Sequence, residues 1–347
     1  MATLEELARL KFTDPPLSAA EKRVVHHAVK GTEADCSDLG GGSDPEKPEK
    51  WPARNVRADL IRWLCVDREA REQIDPRGIQ IRGARITGGL DLSFTNVLFP
   101  LGIFGCRLGR PLNLQWAKMP ALSLEGSWTG AIFADGLKLE GSLFLRNGFH
   151  AEGEVVLLDA AVGGSLHADG GTFKNLKSDK NPDSTGYALS ADGIEVTGGV
   201  FLSNGFSAEG EVRLLGATIG GNLEADGGTF KNSNGKALNA DSVEVHSNVF
   251  MKDKFVADGT VGLVGAEIKG QLAVIDAWLD ALNLESAHVT GSFFWGNIHK
   301  EPHLDFPNKE WKPFLDLTNA KVGVLVDQEA SWPEKGRLLL MVSSMTG

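Results

Sequence analysis

The chain writes FLRNGFHAEGEVVLLDAAVGGSLHADGGTFKN from Phe144 to Asn175 and, 57 residues on, FLSNGFSAEGEVRLLGATIGGNLEADGGTFKN from Phe201 to Asn232. In VRLLGATIGGNLEA, which starts at Val212, Arg213, Thr218 and Glu224 are too polar to be buried together. If they point outward, then Val212/Leu214, Ala217/Ile219 and Leu223/Ala225 point inward. This is an apolar couplet at i, i+2 that restarts every five or six residues. Two inward residues flanking one outward residue make a short strand. The break between couplets is a corner. A helix, with its 3.6-residue period, does not produce this beat.

The same template recurs along the chain. IQIRGARITGGLDL gives Ile79/Ile81, Ala84/Ile86 and Leu90/Leu92, and VGLVGAEIKGQLAV gives Val261/Leu263, Ala266/Ile268 and Leu272/Val274. With four couplets to a turn, ten coils begin near Ile79, Leu101, Leu122, Leu143, Leu166, Val200, Leu223, Val249, Leu272 and Phe293. Most are 21–23 residues long, and the longer ones carry insertions at 174–187 and 231–236. The 57-residue repeat is thus two coils, 23 plus 34, and each coil needs a neighbour to bury its strand edges. The pattern predicts an all-β solenoid, a right-handed β-helix. At ~4.8 Å per coil it makes a rod roughly 45–50 Å long.

The ends read differently. Residues 1–75 predict a small α-helical cap: Ser18 to Glu21 is a capping box opening a helix that ends near Gly31, and WPARNVRADLIRWLCVD makes a second helix. CSDLGGGSDPEKPEK (36–50) is a loop by composition. The solenoid occupies 76–328, with a third insertion at 296–313, and a tail follows at 329–347.

The five-residue beat at Leu122, Ser127, Ile132 and Leu137 resembles the pentapeptide-repeat family, which implies four-sided right-handed coils. The six-residue corners depart from that pattern toward a looser, bactofilin-like or three-sided helix. WPARNVRADLIRWL, the ADG- and GG-rich coils and SWPEKGRL are together similar to an uncharacterised bacterial family often labelled oxidoreductase or membrane-associated oxidoreductase. Members of that family tend to continue past the equivalent of Leu338, which implies a shortened C-terminus here.

Glycine, 42 of 347 residues, is well above the usual ~7% and suits a chain that turns constantly. The net charge of −11 argues against direct nucleic-acid binding. The N-terminus lacks the features of a signal peptide and no apolar run approaches ~18 residues, so the expectation is a cytoplasmic protein. A peripheral membrane association would run only through a missing or shortened C-terminus. Cys36, Cys65 and Cys106 are widely spaced, with no CxxC, and there is no GxGxxG after a strand and no P-loop. No cofactor is expected, whatever the oxidoreductase label implies.

Candidate chemistry is sparse. Glu195, Glu244 and Glu267 stand on the fourth side, and Glu244 and Glu267 lie in adjacent coils about 5 Å apart. They are the candidate paired carboxylates of a glycan-active β-helix, with outward Trp128 and Trp278 as sugar-stacking residues. The alternative is a solvated acidic face. Asp135, Asp192 and Asp241, and Asp169 and Asp226, recur in ADG or ADS and read as turn residues rather than calcium ligands. His299, Glu301, His303 and Asp305 have metal-like spacing, but Pro302 argues against a helix that would aim both imidazoles one way.

One column stands out. The middle residues of the first-side strands, which face solvent, are Phe144, His167, Phe201, Glu224, Phe250, Ala273 and Phe294. Outward phenylalanines in register mark a contact, either with the chain's own ends or with a partner. The reading is therefore a non-catalytic scaffold or protein-interaction module, with self-association or a protein partner at Phe144, Phe201, Phe250 and Phe294. A glycan-active enzyme and an acidic DNA mimic acting on a DNA-binding protein are the alternatives.

Overall fold

The computed structural model describes residues 2–40, 47, 50–177 and 184–340; parts of segment 36–50, of the 174–187 insertion and of the 329–347 tail lie outside these. The chain is a right-handed, parallel β-solenoid of about eleven turns. The four couplets of each coil become four ladders. On the first side Leu101 pairs with Ile79 and Leu122, and the series runs through Leu143, Leu166, Val200, Leu223, Val249 and Leu272 to Phe293. The cross-section is therefore four-sided. An eleventh turn follows, with Leu325 against Phe293 and Leu338 against Leu315. Segment 329–347 thus contributes the strand Leu338–Leu339 to the third side.

Corners explain the glycine, asparagine and aspartate content. Between the third and fourth sides, each of the ten coils turns through one left-handed residue. Six of these are not glycine: Phe94, Trp116, Asp159, Ser242, Ser286 and Asn319 have φ of 51–57°. Beyond residue 229 the corner between the second and third sides is absorbed into continuous strands. Thr229–Asn239 runs through 231–236, the expected insertion loop, with its extra residues taken up by two register irregularities. Phe255–Gly262 likewise spans two sides and Leu272–Asn283 three, longer than the expected three-residue strands.

The core explains why the repeat spans two coils. Inside the second side, one coil carries Phe149 and Ala151, the next Gly171 and Phe173, then Phe206 and Ala208, Gly228 and Phe230, and Phe255 and Ala257. Large and small residues alternate at two positions, so the five buried rings zigzag up the axis at centroid separations of 5.1–5.4 Å. A β-carbon on Gly228 would lie 2.8 Å from the Phe230 ring and 2.7 Å from the Leu202 carbonyl. A coil with two large residues would overfill this interior, and one with two small residues would leave a void.

The N-terminal region closes the first coil with strands as well as helices. Ala34 pairs with Ile81 and Val56 with Ile86, covering the first two sides of the exposed coil edge. Helix α1 (Leu4–Lys11) was not anticipated, although Thr3 and Glu6 form a capping box. Helix α2 (Ala19–Lys30) has the expected Ser18/Glu21 box and ends at Gly31 in the left-handed conformation. The second expected helix begins only at Ala58 (α3, Ala58–Val66), because Asn55–Arg57 is drawn into the sheet; a short α4 (Arg68–Arg71) follows. Buried Glu21 joins α2 to that strand: its carboxylate accepts from Arg57 Nε at 2.6 Å, Arg57 Nη2 at 2.8 Å and the Arg57 amide at 3.0 Å. Burial acts to raise the Glu21 pKa, but hydrogen bonds from Arg57 and the Ser18 amide outweigh it and hold the carboxyl below its ordinary value.

Two measurements follow from this packing. Gly228→Ala is expected to destabilise by about 1–3 kcal/mol, whereas Gly130→Ala, whose added β-carbon meets nothing closer than 4.0 Å, should stay within about 1 kcal/mol in denaturant titrations. Because folding depresses the Glu21 pKa, its contribution is present above the unfolded value of ~4.3 and is lost as pH falls through the folded value. Glu21→Gln should therefore cost about 3 kcal/mol at neutral pH, and the difference from wild type should close on acidification below pH ~4.

Candidate interaction surfaces

The first-side column forms as spaced, and three of its rings cover one another. Phe144, His167 and Phe201 lie parallel in one stack, with centroids 5.0 and 4.8 Å apart and planes within 11° and 7°. These separations match the coil rise, so stacking follows from register alone. Arg146 lies over Phe144, and Lys252 over Phe250. Phe144, Phe201, Phe250 and Phe294 are all half-buried. A third source of cover therefore joins the two considered from sequence: Phe144, His167 and Phe201 cover one another's faces, and Lys252 covers a face of Phe250. Beside the stack is a shallow open concavity of about 480 Å³, lined also by Arg146, Asn147, Asp169, Asn204 and Glu224. There Ser203 donates to Asp169 at 3.0 Å, and His167 Nδ1 is 3.5 Å from the same carboxylate.

On the fourth side Glu244 and Glu267 are register partners, as the spacing requires. Each carboxylate has a local partner: His246 Nε2 is 3.1 Å from Glu244, while His288 Nδ1 and Lys269 Nζ are each 3.4 Å from Glu267. Both stand on a half-exposed, flat strand face. Glu195 lies two coils below Glu244 on the same ladder.

The second side brings together residues that are far apart in sequence. Trp128 stacks on His150 at 3.9 Å, with Arg107 over the indole at 5.2 Å. Trp278 stacks on His299 at 3.8 Å, meets the His303 ring edge-on at 4.8 Å and donates Nε1–H to the Glu301 carbonyl. His150 and Arg107 lie over the Trp128 indole, and His299 stacks on that of Trp278. His299 and His303 do converge, on an indole. His299 Nε2 is 2.6 Å from Asp276 and Nδ1 is 2.7 Å from Glu301, and Asp305 donates its amide to His303 Nδ1. Among the described residues no group of three or more His, Cys, Asp or Glu is arranged to hold a metal ion.

The rest of the 296–313 excursion is strapped to the rod. Lys309 reaches Asp258 and Asp280 in two successive coils, and Lys231 lies over the Phe306 ring. The corner acids act as turn residues that bond the next coil: Asp192 accepts from the Leu215 amide at 3.2 Å, Asp241 from Val264 at 3.1 Å and Asp226 from Lys252 at 2.9 Å. Burial pushes the thiols of Cys36 up to about 11 and of Cys65 and Cys106 up to about 12, far from thiolate chemistry at neutral pH.

Sequence reasoning missed Phe94 and Trp116, which are 77% and 53% exposed. Bulky residues at positive φ are uncommon, yet these two hold the left-handed corner in the first two coils. The signal was in the chain: aligned on the coils, they occupy the place of Gly136, Gly193 and Ser242.

Compared with family models, with curated proteins and with solved structures, the chain matches none. The likeness to pentapeptide-repeat proteins, to bactofilins and to the oxidoreductase-labelled family therefore rests on the coil pattern and the quoted segments alone. Among the described residues no helix is long and apolar enough to cross a membrane.

With all three thiols buried and their pKa values raised, the native protein should resist a thiol-disulfide reagent at pH 8 and release three equivalents on unfolding. Fast modification of any one of them in the native state would contradict this burial.

Proposed function

We propose that the chain is a non-catalytic β-solenoid scaffold, a protein-interaction module whose contact surface includes the first side. The observation that carries this reading is the single file of half-buried rings at Phe144, Phe201, Phe250 and Phe294, flanked by Arg146 and Lys252. A ring stack held in register by the backbone is preorganised, so a partner can bury its edges without ordering flexible side chains. Aromatic groups beside arginine are the usual centre of protein contacts. The partner mode is side-by-side self-association or a protein partner of similar flat relief.

Light scattering on the wild type and on Phe201→Asp/Phe250→Asp tests this. The variant should keep its circular dichroism and lose mass relative to the wild type. A wild type that is a single chain at about 100 μM, or a variant whose mass is unchanged, removes self-association through the column.

A further inference from the structure

The fourth side carries a charge sequence that none of the preceding uses. From the first coil upward its outward residues are Asn96, Lys118, Lys138, Ala161, Glu195, Thr218, Glu244, Glu267, His288 and Lys321, one per coil. The lysines of the second and third coils are separated along the rod from the glutamates of the fifth, seventh and eighth, and Lys321 lies beyond the stretch in which the two groups can be matched. Among the described residues Lys118 and Lys138 are in no ion pair, unlike Lys236, Lys252, Lys269 and Lys309.

We infer that the fourth side is a self-complementary face on which a second copy of this chain docks antiparallel. The inference rests on the scaffold reading and assigns it a surface distinct from the aromatic column. Place a two-fold axis in the plane of the face, across the strand ladder at Glu195. Counting coils, Lys138 of one copy then faces Glu244 of the other, and Lys118 faces Glu267. Both contacts occur twice by symmetry.

The parallel arrangement puts Lys118, Lys138, Glu195, Glu244, Glu267 and Lys321 each on its own counterpart, and like charges in register repel. Glu195 meets its own counterpart on the axis, the one unfavourable level in the antiparallel pair. The spacing needs no adjustment, since both copies share one coil rise.

The adjacent corner supports the same register. An axis in this orientation sets each copy's corner between the third and fourth sides against the same corner of the other. Exposed Phe94 then faces Ser286, and exposed Trp116 faces Gly265. The two bulky residues held in a conformation that disfavours them lie opposite small ones. Strained, exposed groups of this kind are retained where they are used. Ten coils by a side roughly 15 Å wide give on the order of 700 Å² per copy, close to the ~800 Å² per partner of a stable complex.

The test uses the full chain at ~0.15 M salt and about 100 μM, with mass read by light scattering. Lys118→Glu/Lys138→Glu puts glutamate on both sides of the two matched levels, and Glu244→Lys/Glu267→Lys puts lysine on both sides of them. Each variant alone should show half the wild-type mass, and an equimolar mixture should restore it as a heterodimer. The substitutions are on the surface, and recovery in the mixture itself demonstrates folded partners. A wild type that is a single chain, a variant that keeps the wild-type mass, or a mixture that stays at half mass each overturns the inference. These variants leave the first side intact. A loss of mass with Phe201→Asp/Phe250→Asp but not with the charge variants would retain the scaffold reading and discard this face.

Discussion

Everything in this molecule depends on satisfying parallel strand edges. A coil of four strands, most of them two to four residues long in the first half of the chain, has hardly any stability alone. Its amides and carbonyls find partners only on the coils before and after it. Stacking fixes one rise for every side, so each residue position becomes a ladder. Inside, the ladders are filled by aliphatic residues and one zigzag of phenylalanines. Outside, they place like beside like whether or not the chemistry favours it. The cap follows from the same constraint: two strands, Ala34–Asp35 and Asn55–Arg57, cover the first coil's edge and the helices are hung on them.

The outer ladders show how a solenoid turns register into surface character. Aromatic residues one coil apart must stack, as Phe144, His167 and Phe201 do. Carboxylates one coil apart take partners from the flanks, as Glu244 does from His246 and Glu267 from His288 and Lys269. Excursions are tied down to the coils they cross, as Lys309 is to Asp258 and Asp280. The rod therefore offers extended, flat, preset faces rather than a cleft, and long-range contacts of that kind suit recognition over an area.

Most of the fold was legible in the sequence. The i, i+2 couplets located all four ladders and ten coil starts, because inward and outward positions differ sharply in polarity. What escaped has specific causes. The eleventh turn was missed because Leu325 and its neighbours are exposed and lack a repeated partner sequence. Residues 231–236 look like a polar loop, yet edge pairing overrode composition and kept them in the strand. Trp51 to Arg57 looked helical until the open first coil recruited it. Of the surfaces, the phenylalanine column and the Glu244–Glu267 pair were placed correctly by counting. The stacking of Trp128 on His150 and of Trp278 on His299 joins residues 22 and 21 positions apart, and it appears only once the ladders are aligned.

The alternation of Phe-x-Ala with Gly-x-Phe inside the second side gives the coils a parity. From Phe149 to Phe255 an odd coil and an even coil are different parts, although their outer walls are nearly interchangeable. Removing or inserting a single coil there would set ring against ring or glycine against glycine at the splice. Removing or inserting two would leave the interior in phase. The rod's length in this zone is therefore quantised in pairs of coils, which is the unit the sequence duplicates.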